Sequence, residues 1–294
     1  MRRYQFIDQH CDRYPLASLT HTLGVSRSGF YEWRERPISP RAQRREQLAE
    51  QVRDVFTEFD GISGSRKIAR ELIERDVQVC RNTVAELMRE MNLQSKVQRR
   101  RSFTVTTNSN HLEPIAPNVF ERDFTAERPN EKWVADITYV RTDEGWAYLA
   151  AVMDLFSRRI VGWAVSDSLE TSLVMEALNN AIETRQPEPG QLTHHSDRGC
   201  QYASRDHRER LAALGITCSM SRRGNCWDNA CMERFMNSYK NEWANHRQYA
   251  TVKEVHHSTF EYIEIFYNRK RRHQTLGYLS PAAFEAKHRS MNAA

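Results

Sequence analysis

The chain predicts a mixed α/β sheet with flanking helices, preceded by all-helical segments. Three features carry that expectation. Residues 131–166 read as three successive strands, strands and helices then alternate to residue 220, and residues up to 91 follow helical periodicity. The 294 residues leave room for one sizeable core plus one or two small domains. Mean hydropathy is −0.74, and no apolar run approaches the ~18–20 residues of a membrane span. MRRYQFIDQHC lacks the apolar stretch of a secretory signal, so the expected location is the cytoplasm, associated with the nucleoid.

Along the chain, Leu16, Leu19 and Leu23 line one face of a short helix that Gly24 breaks. Val25-Ser26 then supplies an N-cap for a second helix carrying Phe30, Tyr31 and Trp33. Helix, glycine turn and helix over residues 1–40 suit a helix-turn-helix, with Arg27, Ser28 and Arg34 placed to meet phosphates or bases. A plain helical hairpin is the alternative. Residues 41–102 repeat the scheme. A charged amphipathic helix at 42–59 precedes the Gly61–Gly64 break, a helix through Ile68, Leu72 and Ile73, and another capped at Asn82 or Thr83. Residues 1–103 hold 20 Lys+Arg against 14 Asp+Glu, and the remainder 23 against 24. A basic front end of this kind fits a DNA-binding module.

Residues 103–125, polar and proline-containing, read as a linker. From 126 to 287 the texture changes. KWVADITYV, the turn Thr142-Asp143-Glu144-Gly145 and WAYLAAVMD form a hairpin, and IVGWAV adds a third strand. Helix 171–184, strand LTHHS, helix SRDHRERLAAL, strand ITCSM, helix DNACMERFMNSYKNEW and helix VKEVHHSTFEYIEIFYN complete a βββαβαβα order. Residues 288–294 are a tail. The six cysteines show no CxxC pair and read as reduced thiols, a zinc site of Cys226, Cys231 and a histidine being the alternative.

Asp136 stands in the middle of an apolar strand, where an ionised carboxylate is costly without a partner. Asp197 ends a strand in HHSDRG, where open α/β sheets place ligand-binding groups, and Glu233 lies on the long helix. Three acids from three elements repel one another unless a cation intervenes. Hard oxygen donors favour Mg²⁺, with Mn²⁺ able to substitute, over zinc. A salt bridge for Asp136, a turn for Asp197 and plain helix surface for Glu233 are the dull alternatives. Asp154 is a rival for the first position, explained by an ion pair with Arg158 and Arg159.

WVADITYV, LAAVMDLFSRRIVGW, HSDRGCQYAS, SRRGNCWDNACMERF and FYNRKRRHQTLGYLSP together resemble the insertion-sequence transposases of the orfB type, within the DDE transposase and retroviral integrase superfamily. The likeness is continuous over about 120–287. It implies a ribonuclease-H-like, mixed five-stranded sheet in which Asp136, Asp197 and Glu233 bind two divalent ions. It also implies a basic residue two helical turns past the glutamate. Lys240, seven residues on, takes that place and would contact the transposon end. Three departures, Ser63 where an aromatic is frequent, Cys200 for serine and Arg234 after the glutamate, remove none of the three acids.

Arg269, Lys270, Arg271 and Arg272 behind an aromatic helix suit phosphate binding, as do Arg222 and Arg223 on the loop before Glu233, with Trp227 anchoring that loop by packing. The expected activity is Mg²⁺-dependent cleavage at insertion-sequence ends followed by strand transfer. The alternatives are a ribonuclease-H-like nuclease without strand transfer and an inactive DNA-binding regulator. Expected partners are element-end and target DNA, further copies of the chain on paired ends, and a DNA-binding product of an upstream frame. No membrane partner is expected.

Overall fold

The computed structural model describes residues 2–97, 113–222 and 225–292. The chain divides into two compact units, Met1–Val55 and Phe56–Ala294. In the first, α1 (Arg2–His10), α2 (Leu16–Thr22) and α3 (Arg27–Glu35) are followed by α4 (Pro40–Glu58), which runs on into the second. Helix α1 escaped the sequence reading. It buries Ile7 and stacks Tyr4 on Trp33, ring centroids 5.8 Å apart. Gly24, at φ +62°, makes the turn, and the Ser26 hydroxyl accepts the Gly29 N–H as the cap of α3.

The second unit begins with α5 (Ser65–Glu74) and α6 (Arg81–Glu90), packed through Ile68, Leu72, Val84 and Leu87. The cap of α6 falls at Cys80, ahead of the expected Asn82 or Thr83. This helix pair is tied to the rest of its unit. Phe59 meets the edge of Phe266 at 6.4 Å, and Arg272 grips Glu71 at 2.6 Å and Glu74 at 2.7 Å.

The sheet comprises β1 (Lys132–Thr142), β2 (Gly145–Asp154), β3 (Arg159–Ser166), β4 (Thr193–Ser196) and β5 (Thr217–Met220), in the order β3-β2-β1-β4-β5. Strands β1 to β3 are antiparallel, with Trp133 opposite Asp154 and Thr142 opposite Gly145. Strand β4 lies parallel to both β1 and β5. The mixed five-stranded sheet agrees with the expected class. Helix α7 (Thr171–Arg185) crosses β3 so closely that a Cβ on Gly162 would sit 2.3 Å from the Ala177 carbonyl oxygen. Short α8 (Cys200–Ala203) and α9 (Arg205–Ala213) share α7's side of the sheet, around Trp133, Leu178, Tyr202 and Leu211.

Helices α10 (Ala230–Glu242) and α11 (Val252–Phe260) follow, the latter continuing as a π-helical stretch, Glu261–Tyr267. Pro281–Asn292 forms α12, so most of the expected tail is helical. Residues 113–125, expected as linker, instead pack on the sheet. Phe120 is buried and stacks on His195 at 4.8 Å, and the Val119 N–H donates to the Ser219 hydroxyl. The Met220 N–H donates to the Pro117 carbonyl, and the Asn268 side chain exchanges two hydrogen bonds with the backbone of Ile160 on β3.

Candidate active site

Asp136 points from the middle of β1 into a half-buried position, its carboxylate accepting the Ile137 N–H at 2.9 Å. Asp197 follows β4 immediately, and the Gly199 N–H donates to its Oδ1 at 2.9 Å. A side chain at 199 would crowd that carboxylate, since a Cβ would stand 3.1 Å from Oδ1. Pairing of β4 beside β1 brings the two acids to the same end of the sheet. Glu233 arrives on the first turn of α10, which is fixed to β1 by the Asn229 amide donating to the Ala135 carbonyl at 3.0 Å.

Electrostatics ties the three together. Burial pushes the Asp136 carboxyl well above its ordinary range, and the charges of Asp197 and Glu233 push it further. The Ile137 N–H and the Lys240 ammonium pull the other way. Burial also raises Glu233. Among the described residues no three His, Cys, Asp or Glu side chains converge as ligands of one ion, so the acids form a shared neighbourhood and not a preformed cage. The donor set still fits a hard divalent cation: three carboxylates, one pushed upward by burial and by the charges of the other two, make a site short of positive charge.

The approach to α10 is clamped by Asp228, which is fully buried. It accepts from Arg222 Nε at 2.9 Å, Arg222 Nη2 at 2.8 Å, Arg122 Nε at 3.3 Å and the Asn118 amide at 3.0 Å. Hydrogen bonding from Arg222 holds its carboxyl far below the usual range. Lys240, one helix face along from Glu233, lies with its Nζ 4.0 Å from the centroid of Tyr139, its pKa lowered by burial and partly restored by Asp136. On the other side of β4, His194, Tyr202 and His207 form a buried aromatic group with centroids 5.3–6.5 Å apart. None of their side-chain polar atoms has a partner within the protein.

A family model described as "Integrase core domain" matches residues 126–226, a second of the same description matches 214–281, and an "HTH-like domain" matches 43–101. The IS600 uncharacterized 31 kDa protein of Shigella sonnei is 42% identical over 94% of this chain and all of its own length. Transposase InsF of insertion sequence IS3A from Escherichia coli K12 is 38% identical over 97% of this chain and 99% of its own. The chain belongs to the insertion-sequence transposases with an integrase core. A solved catalytic core domain of BIV integrase matches 56% of this transposase and 99% of its own chain, at 17% identity and a TM-score of 0.41. An integrase core behind an HTH-like domain makes DNA the partner of the transposase. No described helix is long and apolar enough to cross a membrane.

Several expected contacts of the transposase fall elsewhere. Arg271 and Arg272 are internal: Arg271 Nε donates to Glu242 at 2.7 Å, and Arg272 is held by Glu71 and Glu74. Such tightly paired guanidiniums have no free face for phosphate, which leaves Arg269 and Lys270 as the exposed cations of that run. Arg27 and Arg34 are exposed, with Arg34 3.4 Å from Asp8. Arg222 is half exposed but committed to Asp228, and Arg223 lies outside the described residues. Trp227 does not anchor the loop by burial, being 67% exposed. Asp154 pairs with Arg185 at 2.9 Å and accepts two backbone N–H groups, while Arg158 turns to the Cys231 sulfur and Arg159 to Glu285. The described cysteines are free thiols. The clamp of Asn118, Arg122 and Asp228 was missed. An acid at a helix start, next to an asparagine, was its only trace.

Proposed function

We propose that the transposase cleaves DNA at the ends of its insertion sequence and joins the freed 3′ ends to target DNA, with Asp136, Asp197 and Glu233 as its catalytic residues and metal ligands. The observation that carries this reading is the placement of three acids 61 and 36 positions apart in sequence: β4 beside β1 sets Asp197 at the same end of the sheet as Asp136, and the Asn229 tether brings the α10 turn that carries Glu233 to β1. Two Mg²⁺ ions, or Mn²⁺ in their place, would supply Lewis acidity at the attacking and leaving oxygens of an in-line displacement. The Ile137 N–H orients Asp136, Gly199 leaves space at the Asp197 carboxylate, and the Asn229 tether fixes where Glu233 reaches.

Water attacks a phosphodiester at the element end, leaving a 5′-phosphate on the flanking strand and freeing the element's 3′-OH; that hydroxyl then attacks a target phosphodiester, joining to its 5′-phosphate as the target's 3′-OH leaves. No Ser or Tyr nucleophile is needed. Lys240, beside the acids, holds a strand phosphate at the element end. Segments 1–40 and 41–102 hold DNA, with Arg27, Arg34, Arg269 and Lys270 contributing phosphate contacts, and region 126–287 performs the chemistry. The working form is a multimer on paired ends, supplemented by a DNA-binding product of an upstream frame.

Asp136→Asn and Glu233→Gln variants should bind end DNA yet neither nick it nor join pre-nicked ends in Mg²⁺. Joining by either variant at the wild-type rate would overturn the assignment. Nicking without joining by the wild type would leave a nuclease.

A further inference from the structure

One feature beside the acids has no role in the chemistry above. At the turn end of the β1–β2 hairpin, Trp146 stands edge-on to Tyr139, ring centroids 5.0 Å apart at 90°. Trp146 is 47% exposed, although an indole is among the most favourable groups to bury. The other side of the assembly is cationic, with Lys240 Nζ over the Tyr139 ring. Lys240 comes from α10, seven residues beyond Glu233, so this group is joined to the helix that carries the third acid.

The hairpin end is also held firmly. The Thr142 hydroxyl donates to the Gly145 carbonyl at 3.2 Å, and the Asp143 N–H donates to the carbonyl of Tyr249, a buried residue of the neighbouring loop. A mobile turn would let Trp146 fold down onto the sheet. This one keeps the indole presented.

We propose that Trp146 and Tyr139, with Lys240, form a stacking platform for one unpaired nucleobase of the DNA strand that enters the active site. The proposal rests on the transposase reading and adds to it a binding site with a defined ligand chemistry. Three properties of the platform select a nucleotide. The exposed aromatic face offers stacking to any base. The ammonium beside it suits the phosphate joined to that base. Tyr139 and Trp146 lie on the face of β1 opposite Asp136, and Lys240, which reaches the Tyr139 ring and is influenced by Asp136, sets the platform where a strand rounding the edge of β1 would pass. Trp146 pairs with Arg141 across the hairpin, five residues along β1 from Asp136. That spacing is about 17 Å of strand, or roughly five base steps of B-form DNA. The stacked base therefore lies within about five nucleotides of the scissile phosphate. An unpaired base is required because paired bases are already stacked on both faces. The platform thus favours ends whose terminal pairs open, and local melting becomes part of end recognition.

The test uses the full chain and duplexes carrying the terminal repeat of its own element, with 2-aminopurine placed singly at each of the first five positions on either side of the cut. Emission is read without divalent ion, so that no strand is cleaved. In the wild type one position should be strongly quenched relative to its neighbours. Trp146→Phe should retain that quench. Trp146→Ala should lose it and weaken end affinity by roughly 5- to 150-fold. Wild-type binding and Mg²⁺-dependent cutting with no quench that depends on Trp146 overturns the platform alone. A wild type that neither binds nor cuts its own ends overturns the transposase reading and the platform with it.

Discussion

Glu242 sits at the last turn of α10 almost out of reach of water, and its charge is answered by Arg271 and by the Tyr262 hydroxyl at 3.2 Å. Lys67 of α5 is drawn into the same group. Burial and the Arg271 charge bring its pKa down to about 8, against the pull of Glu242. Removing the one anion strands two cations in a poorly solvated place. Glu242→Gln should therefore lower unfolding stability by about 3–5 kcal/mol in urea titrations. A change under ~1 kcal/mol would show that water reaches the pair. This residue also marks a limit of sequence reading. In RKRRH four adjacent cations look alike, and only folding, by aiming Arg271 at Glu242 and Arg272 at Glu71, separates structural arginines from exposed ones.

Elements of strong periodicity were legible directly. The two hairpin strands and helix α7 fall close to expectation because each repeats its apolar pattern over ten residues or more. Helix α1 was invisible: it is short, polar and buries only Ile7. The π-helical stretch after α11 was equally hidden, since its aromatic residues suit either winding. Asp136 stands out in the sequence because it breaks the apolar pattern of its strand, whereas Asp228 does not, because a carboxylate at a helix start is ordinary. The β3–α7 contact gives the sharpest prediction at this scale. Gly162→Ala places a methyl where the α7 backbone already is, so strand and helix must separate. A loss of about 1–3 kcal/mol is expected from thermal or urea unfolding, with more for Gly162→Val. Equal stability of Gly162→Ala would mean that α7 shifts freely.

For the whole molecule, acid sensitivity follows from histidines kept neutral. Burial, reinforced by the charges of His207 and His195, holds His194 well below its ordinary range, and burial takes His207 down to about 4. The unfolded chain binds these protons near pH 6.5 and the folded chain does not. Their neutral state therefore leaves stability complete above about pH 6.5, and the loss grows as pH falls toward 4, by up to about 3 kcal/mol for His207 alone. Urea midpoints at pH 7.5 and 5 should diverge, and less so in His207→Phe. Identical divergence in that variant would assign the effect elsewhere. A different property follows from the two borders of the sheet. Asn268 occupies both backbone groups of Ile160 on β3, and the chain at 117–119 lies along β5. At Ile160 on β3 and at the Met220 N–H on β5 the backbone is closed to a foreign strand. When many copies crowd together on nucleic acid, accretion into fibrils is thereby discouraged, and association is steered to side chains, where it can be reversed.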